Sequence, residues 1–414
     1  MRQQFSKEIA PWISMAYINW IIFFRQETNI HRFFSEIFVP LDCIFLVVRK
    51  YKDGASTSLT EIYNIDKDRE LLTNLFGVWN EKDGLRITKL TLYQRRNDLY
   101  GQMIKVATVQ DPPVSLIERN SSGEIIGIKG FFGTVIQILQ KNLNCTVTYA
   151  ECDSWGYVLP NGSWTGIVGM LVRKEIDLAA TELLMTSDRL EAIEFTTPVF
   201  STKCRTFIKR PYFTAIKWTA YSDPFYSGHS TALIDAIRII DLVVHLTGVI
   251  ILAAYSAALI SFLAVKIFIM PFSSMEGLLN DGSYKFGVIR NSADYNFFQN
   301  TSDVILQRMF EEILDDVENL PRNYLEGLNN ICSQDKYAFM VTDNMFAILE
   351  HQVPCILEPL DTIMQTTLAM AVPSRSPFRG IINSNILLMR DSGVLQRVLP
   401  LNWSYNHLRL VNLS

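Results

Sequence analysis

Arg189 is the side chain in this sequence best suited to hold a small anion. A planar guanidinium can bind a carboxylate through two parallel hydrogen bonds, which fix both the position and the orientation of the anion. Glu191 and Glu194 follow closely, however, and a surface ion pair with a neighbouring acid is the ordinary fate of such an arginine. The residue types and their spacing leave two interpretations open, an anion site and a local ion pair.

Other kinds of site chemistry find little support in the sequence. The five histidines lie far apart, without the spacing of a metal site, and no Gly-x-Ser-x-Gly elbow marks a hydrolase nucleophile. Gly127, Gly130 and Gly133 differ in spacing from the dinucleotide fingerprint and favour a plain strand-to-helix turn. The six cysteines show no Cys-x-x-Cys pair, and their pairing stays open. We therefore predict no enzyme activity, no metal and no cofactor.

The composition describes a folded chain without the charge that nucleic acid requires. It has 414 residues, of which 49% are hydrophobic, 19% charged and 12% aromatic, enough to bury two or three domain cores. The formal net charge is −4, and the sequence has no long run of lysine and arginine. We therefore predict that nucleic acid is not a partner.

The segments around Arg189 alternate between strand and helix patterns. The segment "MIKVATV" predicts a strand, "GTVIQILQKNL" a helix and "CTVTYAE" a second strand. The segment "GIVGMLVRKEIDLAAT" predicts a helix followed by a strand. After residue 270 the rhythm returns, with helices at "SMEGLLND", Ala293–Leu314, "NMFAILEHQ" and Phe378–Leu399, and strands at "YKFGVIR", "KYAFMVT" and "TTLAMAV". This alternation predicts two α/β lobes, whose ligand cleft is expected beyond the carboxyl ends of the strands.

An uncharged apolar run from Leu242 to Val265 separates the two lobes. As a helix it would exceed the roughly 30 Å hydrocarbon core, since each residue adds about 1.5 Å. We therefore predict one transmembrane helix, with membrane lipid as a partner. A second run, Ile9–Phe24, is interrupted by Pro11 and is interpreted as part of a folded upstream domain, like the strand pattern Cys43–Val48.

Asn-x-Ser/Thr sequons lie on both sides of the apolar run. N-glycosylation takes place in the secretory lumen, so the sequons indicate that both lobes face that side of a membrane. The candidate asparagines are Asn120, Asn144, Asn161, Asn300, Asn402 and Asn412.

Two segments resemble the ionotropic glutamate receptors and, more narrowly, their insect ionotropic-receptor relatives. The first reads "AYSAALISFL" over residues 254–263 and resembles the family's gate helix, whose small residues let helices cross closely. The second runs from Asn161 to Phe200 and resembles the first ligand-binding lobe, and "YQRRNDLYG" and "VATVQDPP" extend the likeness to residues 60–414. The gate positions are Tyr255, Ser256, Ala257, Ala258 and Leu259.

The resemblance implies an α/β clamshell of two doubly wound lobes, like a periplasmic binding protein, plus one transmembrane α-helix. It divides the chain into a partial amino-terminal extracellular domain (1–98), a first-lobe segment (99–225), a pore remnant with the gate helix (226–266) and a second-lobe segment (267–414). It further implies a chemosensory ligand-gated cation channel subunit in the cell membrane, with extracellular lobes and co-receptor subunits in a hetero-tetramer.

The resemblance implies a ligand-binding site formed by Arg189, with Thr186 close by, and by the second-lobe residues Asp294 and Thr342. The family's threonine five residues before the arginine is Leu184 here, and the acidic residue that takes an amino group is Thr342, so glutamate is a poor candidate. Asp294 is expected to cap its own helix and to repel a second carboxylate. We hypothesise that the ligand is a small organic acid or similar odorant held by Arg189.

The sequence departs from the family between the lobes. The stretch that ends at Phe225 is followed almost directly by "SGHSTALIDAIR", so a first span and a pore loop are missing, and no apolar run follows Trp403. One span would place the lobes on opposite sides of a membrane, whereas a clamshell needs both on one side. Three explanations stay open: an incomplete gene product, a splice form without a pore, or a helix that does not span. We expect that the chain does not conduct alone.

A cysteine pairing is also implied by the resemblance. Cys355 matches a cysteine that is paired in glutamate receptors. The tail up to Ser414 offers no partner, so we expect the partner beyond that residue.

A protein of another class fits part of the pattern, namely a secreted or anchored solute-binding protein with the same clamshell and no channel. Glycosylation of both lobes, together with extraction without detergent, would favour that alternative. An enzyme fits least, because the sequence contains no nucleophile-base or paired-carboxylate arrangement.

Overall fold

The computed structural model describes residues 15–51, 56–112, 114–159, 161–211, 237–264, 270–290, 292–314 and 316–398. Its strands form a five-stranded sheet near the N-terminus, an eight-stranded sheet that carries both lobes, and a two-stranded ribbon. The predicted mixed α/β class, with parallel strands in each lobe, is confirmed.

The N-terminal sheet packs aromatic side chains on one face. Phe45 meets Trp20 at 6.0 Å and Phe34 at 5.2 Å between ring centroids. The first two strands are parallel and the other neighbours antiparallel. From residue 15 onward the segment upstream of the lobes forms this sheet, and residues 1–14 lie outside the described residues. The elements are β1 (Trp20–Phe24), α1 (Ile30–Phe34), β2 (Phe45–Lys50), β3 (Ser56–Tyr63), β4 (Leu72–Asn80), β5 (Gly84–Ile87) and α2 (Leu92–Arg95).

A buried ion cluster ties this sheet to the segment that enters the first lobe. Arg96 is fully buried, and its guanidinium lies 2.8 Å from Glu61 Oε1 and 4.2 Å over the Tyr63 ring. Arg95 donates to both oxygens of the same carboxylate, at 3.0 and 2.7 Å. Removing one member would leave the others charged and buried, so the cluster holds only when complete.

The first lobe is built from parallel strands joined through helices. The predicted strands and helices from Met103 to Leu184 are confirmed. Gly130 begins its helix at φ 84°, and a Cβ on Gly133 would lie 2.1 Å from the Ile128 carbonyl oxygen, which confirms the predicted glycine turn. The elements are β6 (Met103–Val109), β7 (Leu116–Arg119), β8 (Ile125–Lys129), α3 (Gly130–Leu143), β9 (Thr146–Cys152), α4 (Gly166–Val172), β10 (Leu178–Leu184), α5 (Ser187–Ala192) and β11 (Ile193–Phe195).

Two long antiparallel strands run between the lobes. β12 (Phe200–Lys209) pairs over its whole length with β15 (Leu357–Pro373). On one side of this pair lie the second-lobe strands β14 (Tyr337–Thr342) and β13 (Lys285–Gly287), and on the other side lie the first-lobe strands β10, β6 and β9. The register of the pair shifts around Arg205, so the hinge between the lobes is also the irregular part of the sheet.

A long helix, α6 (Ile237–Ala264), lies between the two lobe segments. It confirms a helix for the apolar run as far as residue 264. Tyr255 is half-buried and Ser256 and Ala257 are exposed, whereas the side chains of Ala258 and Leu259 lie outside the described part of the chain. Over the residues that the structure describes, no helix meets the length and hydropathy needed to cross a membrane.

The second lobe places two parallel strands against five helices. Phe286, Phe298 and Met340 are fully or almost fully buried in its core. The elements are α7 (Met275–Asp281), β13 (Lys285–Gly287), α8 (Ala293–Asn300), α9 (Val304–Glu312), α10 (Tyr324–Ser333), β14 (Tyr337–Thr342) and α11 (Asp343–Leu349), followed by β15 and α12 (Arg379–Asp391).

Two helix predictions need correction. The single helix predicted over Ala293–Leu314 is two helices, because Asp303 Oδ1 accepts hydrogen bonds from Ile305 and Leu306 N–H at 2.9 and 3.2 Å and starts a new helix. The C-terminal helix predicted over Phe378–Leu399 is interrupted after Asp391 by a turn, where Gly393 takes a positive φ of 72°; residues 394–398 are helical again, and Leu399 lies outside the described residues.

The disulfide differs from the expected one. Cys332 pairs with Cys355, at a Cα–Cα distance of 5.7 Å and a sequence separation of 23. The partner therefore precedes Cys355 in the chain, and the expectation of a partner beyond Ser414 is wrong. The bond joins the end of α10 to the turn before β15.

Candidate functional site

Two strands of the first lobe end at the same edge and present carboxyl groups there. β6 and β10 are parallel neighbours, with Val106 opposite Leu178. Asp111 follows the end of β6, and Glu182 lies near the end of β10. Because parallel strands share one carboxyl edge, both acids meet the second lobe at the cleft.

Arg189 lies inside this cleft and not on the surface. It is 2% exposed, and its guanidinium donates to the carbonyl oxygens of Leu184 at 3.2 Å and Gly156 at 3.1 Å. Burial lowers the pKa of Arg189 to about 10, and the charge of Asp294 opposes that shift. The alternative of a local ion pair is wrong, because Glu194 instead lies 3.6 Å from the guanidinium of Arg379.

Asp294 comes from the second lobe and does not cap its helix as expected. Ser292 is the N-cap of α8, since its hydroxyl accepts the Tyr295 N–H at 3.2 Å. Asp294 sits in the first turn and is 5% exposed, and its Oδ1 has no hydrogen-bond partner among the described residues. Burial raises the pKa of Asp294 to about 6, against the lowering effect of Arg189. The carboxyl therefore turns into the cleft.

No motif in the sequence marked the two first-lobe acids. Asp111 and Glu182 are 9% and 8% exposed, and Asp111 Oδ2 has no hydrogen-bond partner in the described part of the chain. Burial raises the pKa of Asp111 to about 7. Burial, then the charges of Asp111 and Asp294, raise the pKa of Glu182 well above its usual range. Each is a single acid without a motif around it, so only the folded sheet shows that they share one edge.

Aromatic side chains close the cleft from both lobes. The rings of Trp155 in the first lobe and Tyr324 in the second meet edge to face, with centroids 6.4 Å apart. Trp155 Nε1 donates to the Thr181 hydroxyl at 3.2 Å. Burial, then the charges of Glu182 and Asp294, raise the pKa of Tyr324 well above its usual range, so this ring borders the acids. The lobes are thus in contact across the site.

Two cavities adjoin the acids and Arg189. The cleft mouth, about 300 Å³, is lined by Thr186, Arg189 and Ala293 among others. Deeper, Glu182 borders a cavity of about 10 Å³, room for about one water molecule. The remaining wall of the deeper cavity is mostly apolar and is formed by Val114, Phe131, Phe200, Asn344, Met345 and Ile348.

The other predicted ligand positions divide between the cleft and the framework. Thr186 is half-buried at the mouth, where it begins α5. Thr342 is buried and accepts the Met345 N–H at 3.3 Å, so it caps α11. The structure brings together Arg189, Thr186 and Asp294, and it gives the hydroxyl of Thr342 a capping bond.

The predicted glycosylation sites lie at accessible positions where the structure describes them. Asn144, Asn161 and Asn300 are exposed and Asn120 is half-buried, whereas Asn402 and Asn412 lie outside the described residues. Asn300 also lines the cleft mouth. A glycan there would stand beside the entrance.

Comparison with known families matches two parts of the chain. Residues 102–212 match the model described as ligated ion channel L-glutamate- and glycine-binding site. Residues 16–109 match the ionotropic receptor 75a N-terminal model. The second match covers the five-stranded N-terminal sheet, including the part before residue 60 that the sequence resemblance did not reach.

The curated relatives are ionotropic glutamate receptors. A glutamate receptor of Lymnaea stagnalis is 23% identical over 81% of this chain and 44% of its own length. The delta-1 ionotropic glutamate receptor of Mus musculus is 23% identical over 96% of this chain and 46% of its own length. The chain spans about half the length of these two relatives. The human delta-2 receptor is 32% identical, over 29% of this chain.

The fold and the cleft define the ligand-binding region of a glutamate-receptor-type protein, made of two α/β lobes joined by paired hinge strands. The chain combines an ionotropic receptor 75a N-terminal domain with this ligand-binding domain, has distant homologues among the ionotropic glutamate receptors, and fits the insect ionotropic-receptor family. The family is non-enzymatic, in agreement with the sequence prediction.

Proposed function

We propose that this chain is the ligand-binding part of a chemosensory ligand-gated cation channel subunit, which binds a small organic odorant between its lobes. The observation that carries the proposal is the buried cleft, in which Arg189 of the first lobe faces Asp294 of the second. Buried charges from two lobes that can separate are typical of a site that a ligand completes.

The connections of α6 support a gating role. In the chain, α6 follows hinge strand β12 and precedes α7 of the second lobe. A ligand that binds the closed cleft better than the open one shifts the equilibrium toward closure, and closure moves α7 relative to the first lobe. We propose that this movement pulls on α6, which acts as the gate helix in a membrane, with the lobes outside the cell.

Arg189 holds the first-lobe wall of the cleft in place in this proposal. Its two bonds join the end of β10, at Leu184, to the loop at Gly156, next to Trp155. The remaining guanidinium N–H groups are the site for the acid head group that the sequence suggests. The three nearby carboxyl groups, of Asp111, Glu182 and Asp294, oppose such a head.

Assembly belongs to the same proposal. We propose that the chain works in a hetero-tetramer with co-receptor subunits and does not conduct alone. Ligand-evoked current should therefore need co-expression. A robust current from this chain in cells without other receptor subunits would contradict this part.

Dose–response recordings of Arg189→Ala test the cleft. We expect at least a tenfold rise in half-maximal ligand concentration, with surface labelling to confirm delivery to the membrane. Arg173→Ala is the matched control, because Arg173 lies in the same lobe but is exposed and pairs with Glu175. Arg189→Lys keeps the charge but loses the two-pronged geometry and should recover the response only in part. Unchanged responses in Arg189→Ala would refute the proposed site.

A further inference from the structure

The cleft contains more negative than positive side chains. Asp111, Glu182 and Asp294 border it from the end of β6, from β10 and from α8, and their charges act on one another or on Tyr324. Among the described residues, Arg189 is the basic side chain that acts on this group. With all four ionised, the site would carry a net charge of about −2, counted from ordinary ionisation states.

Two of these acids lack the hydrogen bonds that burial normally requires. Asp111 Oδ2 and Asp294 Oδ1 are inaccessible to solvent and have no partner in the described part of the chain. A buried acceptor without a donor costs about 1–3 kcal/mol, and more when it is charged. Arg189 does not relieve this, because it donates to two backbone carbonyls. A positively charged hydrogen-bond donor on a ligand would satisfy these carboxylate oxygens.

The surroundings of the acids suit a cation with an apolar body. Trp155 and Tyr324 offer aromatic rings, which attract ammonium groups through their π faces. Phe131 and Phe200 meet edge to face at 5.7 Å and wall the cavity beside Glu182. A metal ion is a poorer fit, since no three metal-ligating side chains converge within the described residues.

We propose that the cleft binds a protonated organic amine with an aliphatic or aromatic body and no carboxylate. The ammonium group donates to carboxylate oxygens of this acidic group that lack a partner, and the body lies against the apolar wall. The inference rests on the proposed function and replaces the acid head suggested by the sequence, because a carboxylate there would face three acids. The deeper cavity is too small for such a body, so the lobes separate for entry and close on the bound amine.

The inference includes a dependence on pH. The groups that face the amine are the three carboxyls, the Arg189 guanidinium and the Tyr324 hydroxyl. The Cys204 thiol interacts electrostatically with Tyr324 and with two of the carboxyls, those of Glu182 and Asp294. Burial raises the pKa of Asp111 to about 7 and of Asp294 to about 6. An amine holds the carboxyls in their ionised form, so binding releases protons and weakens as the pH falls from 8 to 5.

Three probes that share a phenylethyl body test the charge preference. They are 2-phenylethylamine, 2-phenylethanol and 3-phenylpropanoate, which carry positive, neutral and negative heads. Isothermal titration of the purified full chain in mild detergent should show the amine binding at least tenfold more tightly than the alcohol, and the acid most weakly. Asp294→Asn and Glu182→Gln keep the side-chain shape and should abolish this order. Glu175→Gln, an exposed acid of the first lobe paired with Arg173, should leave it unchanged.

The outcomes separate this inference from the proposed function. Tighter binding of the acid, lost in Arg189→Ala, would overturn the amine and leave the receptor proposal standing. Equal binding of all three probes, or no binding of the amine, would overturn the inference. Amine binding without ligand-evoked current in co-expressing cells would support the inference and contradict the channel. Thermal unfolding of the Asn and Gln variants confirms that they fold.

Discussion

Replacing Asp111 with asparagine is expected to stabilise the ligand-free protein at neutral and alkaline pH. The change keeps the shape of the side chain and removes a buried carboxylate whose Oδ2 has no partner among the described residues. Burial raises the pKa of Asp111 from 3.8 to about 7. The folded chain therefore binds this proton more tightly than the unfolded chain, and ionisation favours unfolding.

The size of the gain follows from that difference in pKa. One pKa unit corresponds to about 1.4 kcal/mol, so the roughly three units between folded and unfolded chain set a limit of about 4 kcal/mol at pH 8. The stability that the protonated carboxyl contributes is fully present below about pH 3.8 and is lost as the pH rises through about 7. The parent and Asp111→Asn should therefore be almost equally stable near pH 4 and diverge toward pH 8.

Thermal unfolding from pH 4 to 8, followed by tryptophan fluorescence in mild detergent, measures this. At pH 8 the variant should melt several degrees higher, since about 1 kcal/mol moves the Tm of a domain this size by about 2–4 °C. Glu175→Gln is the control and should stay within about 0.5 kcal/mol of the parent at every pH. A difference that does not vary with pH, or a variant less stable at pH 8, would refute the reasoning.

Two further predictions concern the framework. Glu61→Gln should destabilise the chain by about 3–5 kcal/mol in urea unfolding, because Arg95 and the buried Arg96 lose their counter-charge; a loss below about 1 kcal/mol would contradict the role of the cluster. Cys332→Ser combined with Cys355→Ser should cost about 3 kcal/mol, since the bond closes a loop of 23 residues. Reduction of the parent should cost the same, and an unchanged urea midpoint after reduction would contradict the prediction.

The amino-acid sequence by itself determined the two lobes and their elements. Each lobe strand is a short apolar run and each helix has an apolar face, and these local periods survive folding. The strand Met103–Val109, the helix Gly130–Leu143 and the helix of the apolar run were therefore predictable. The break at Asp303 was missed because the apolar period continues across it, and a short Thr-Ser-Asp cap is a weak signal within a helical pattern.

Only the tertiary structure decided the character of the cleft. Arg189 was found from its surroundings in the sequence, yet its bonds to Leu184 and Gly156 arise from how β10 and a distant loop fold together. Asp111 and Glu182 are 71 positions apart and meet only because parallel β6 and β10 end at one edge. Asp294 joins them from the other lobe. Charge at a site depends on distance and burial, which a linear pattern does not contain, so the sequence suggested an acid where the folded cleft favours an amine.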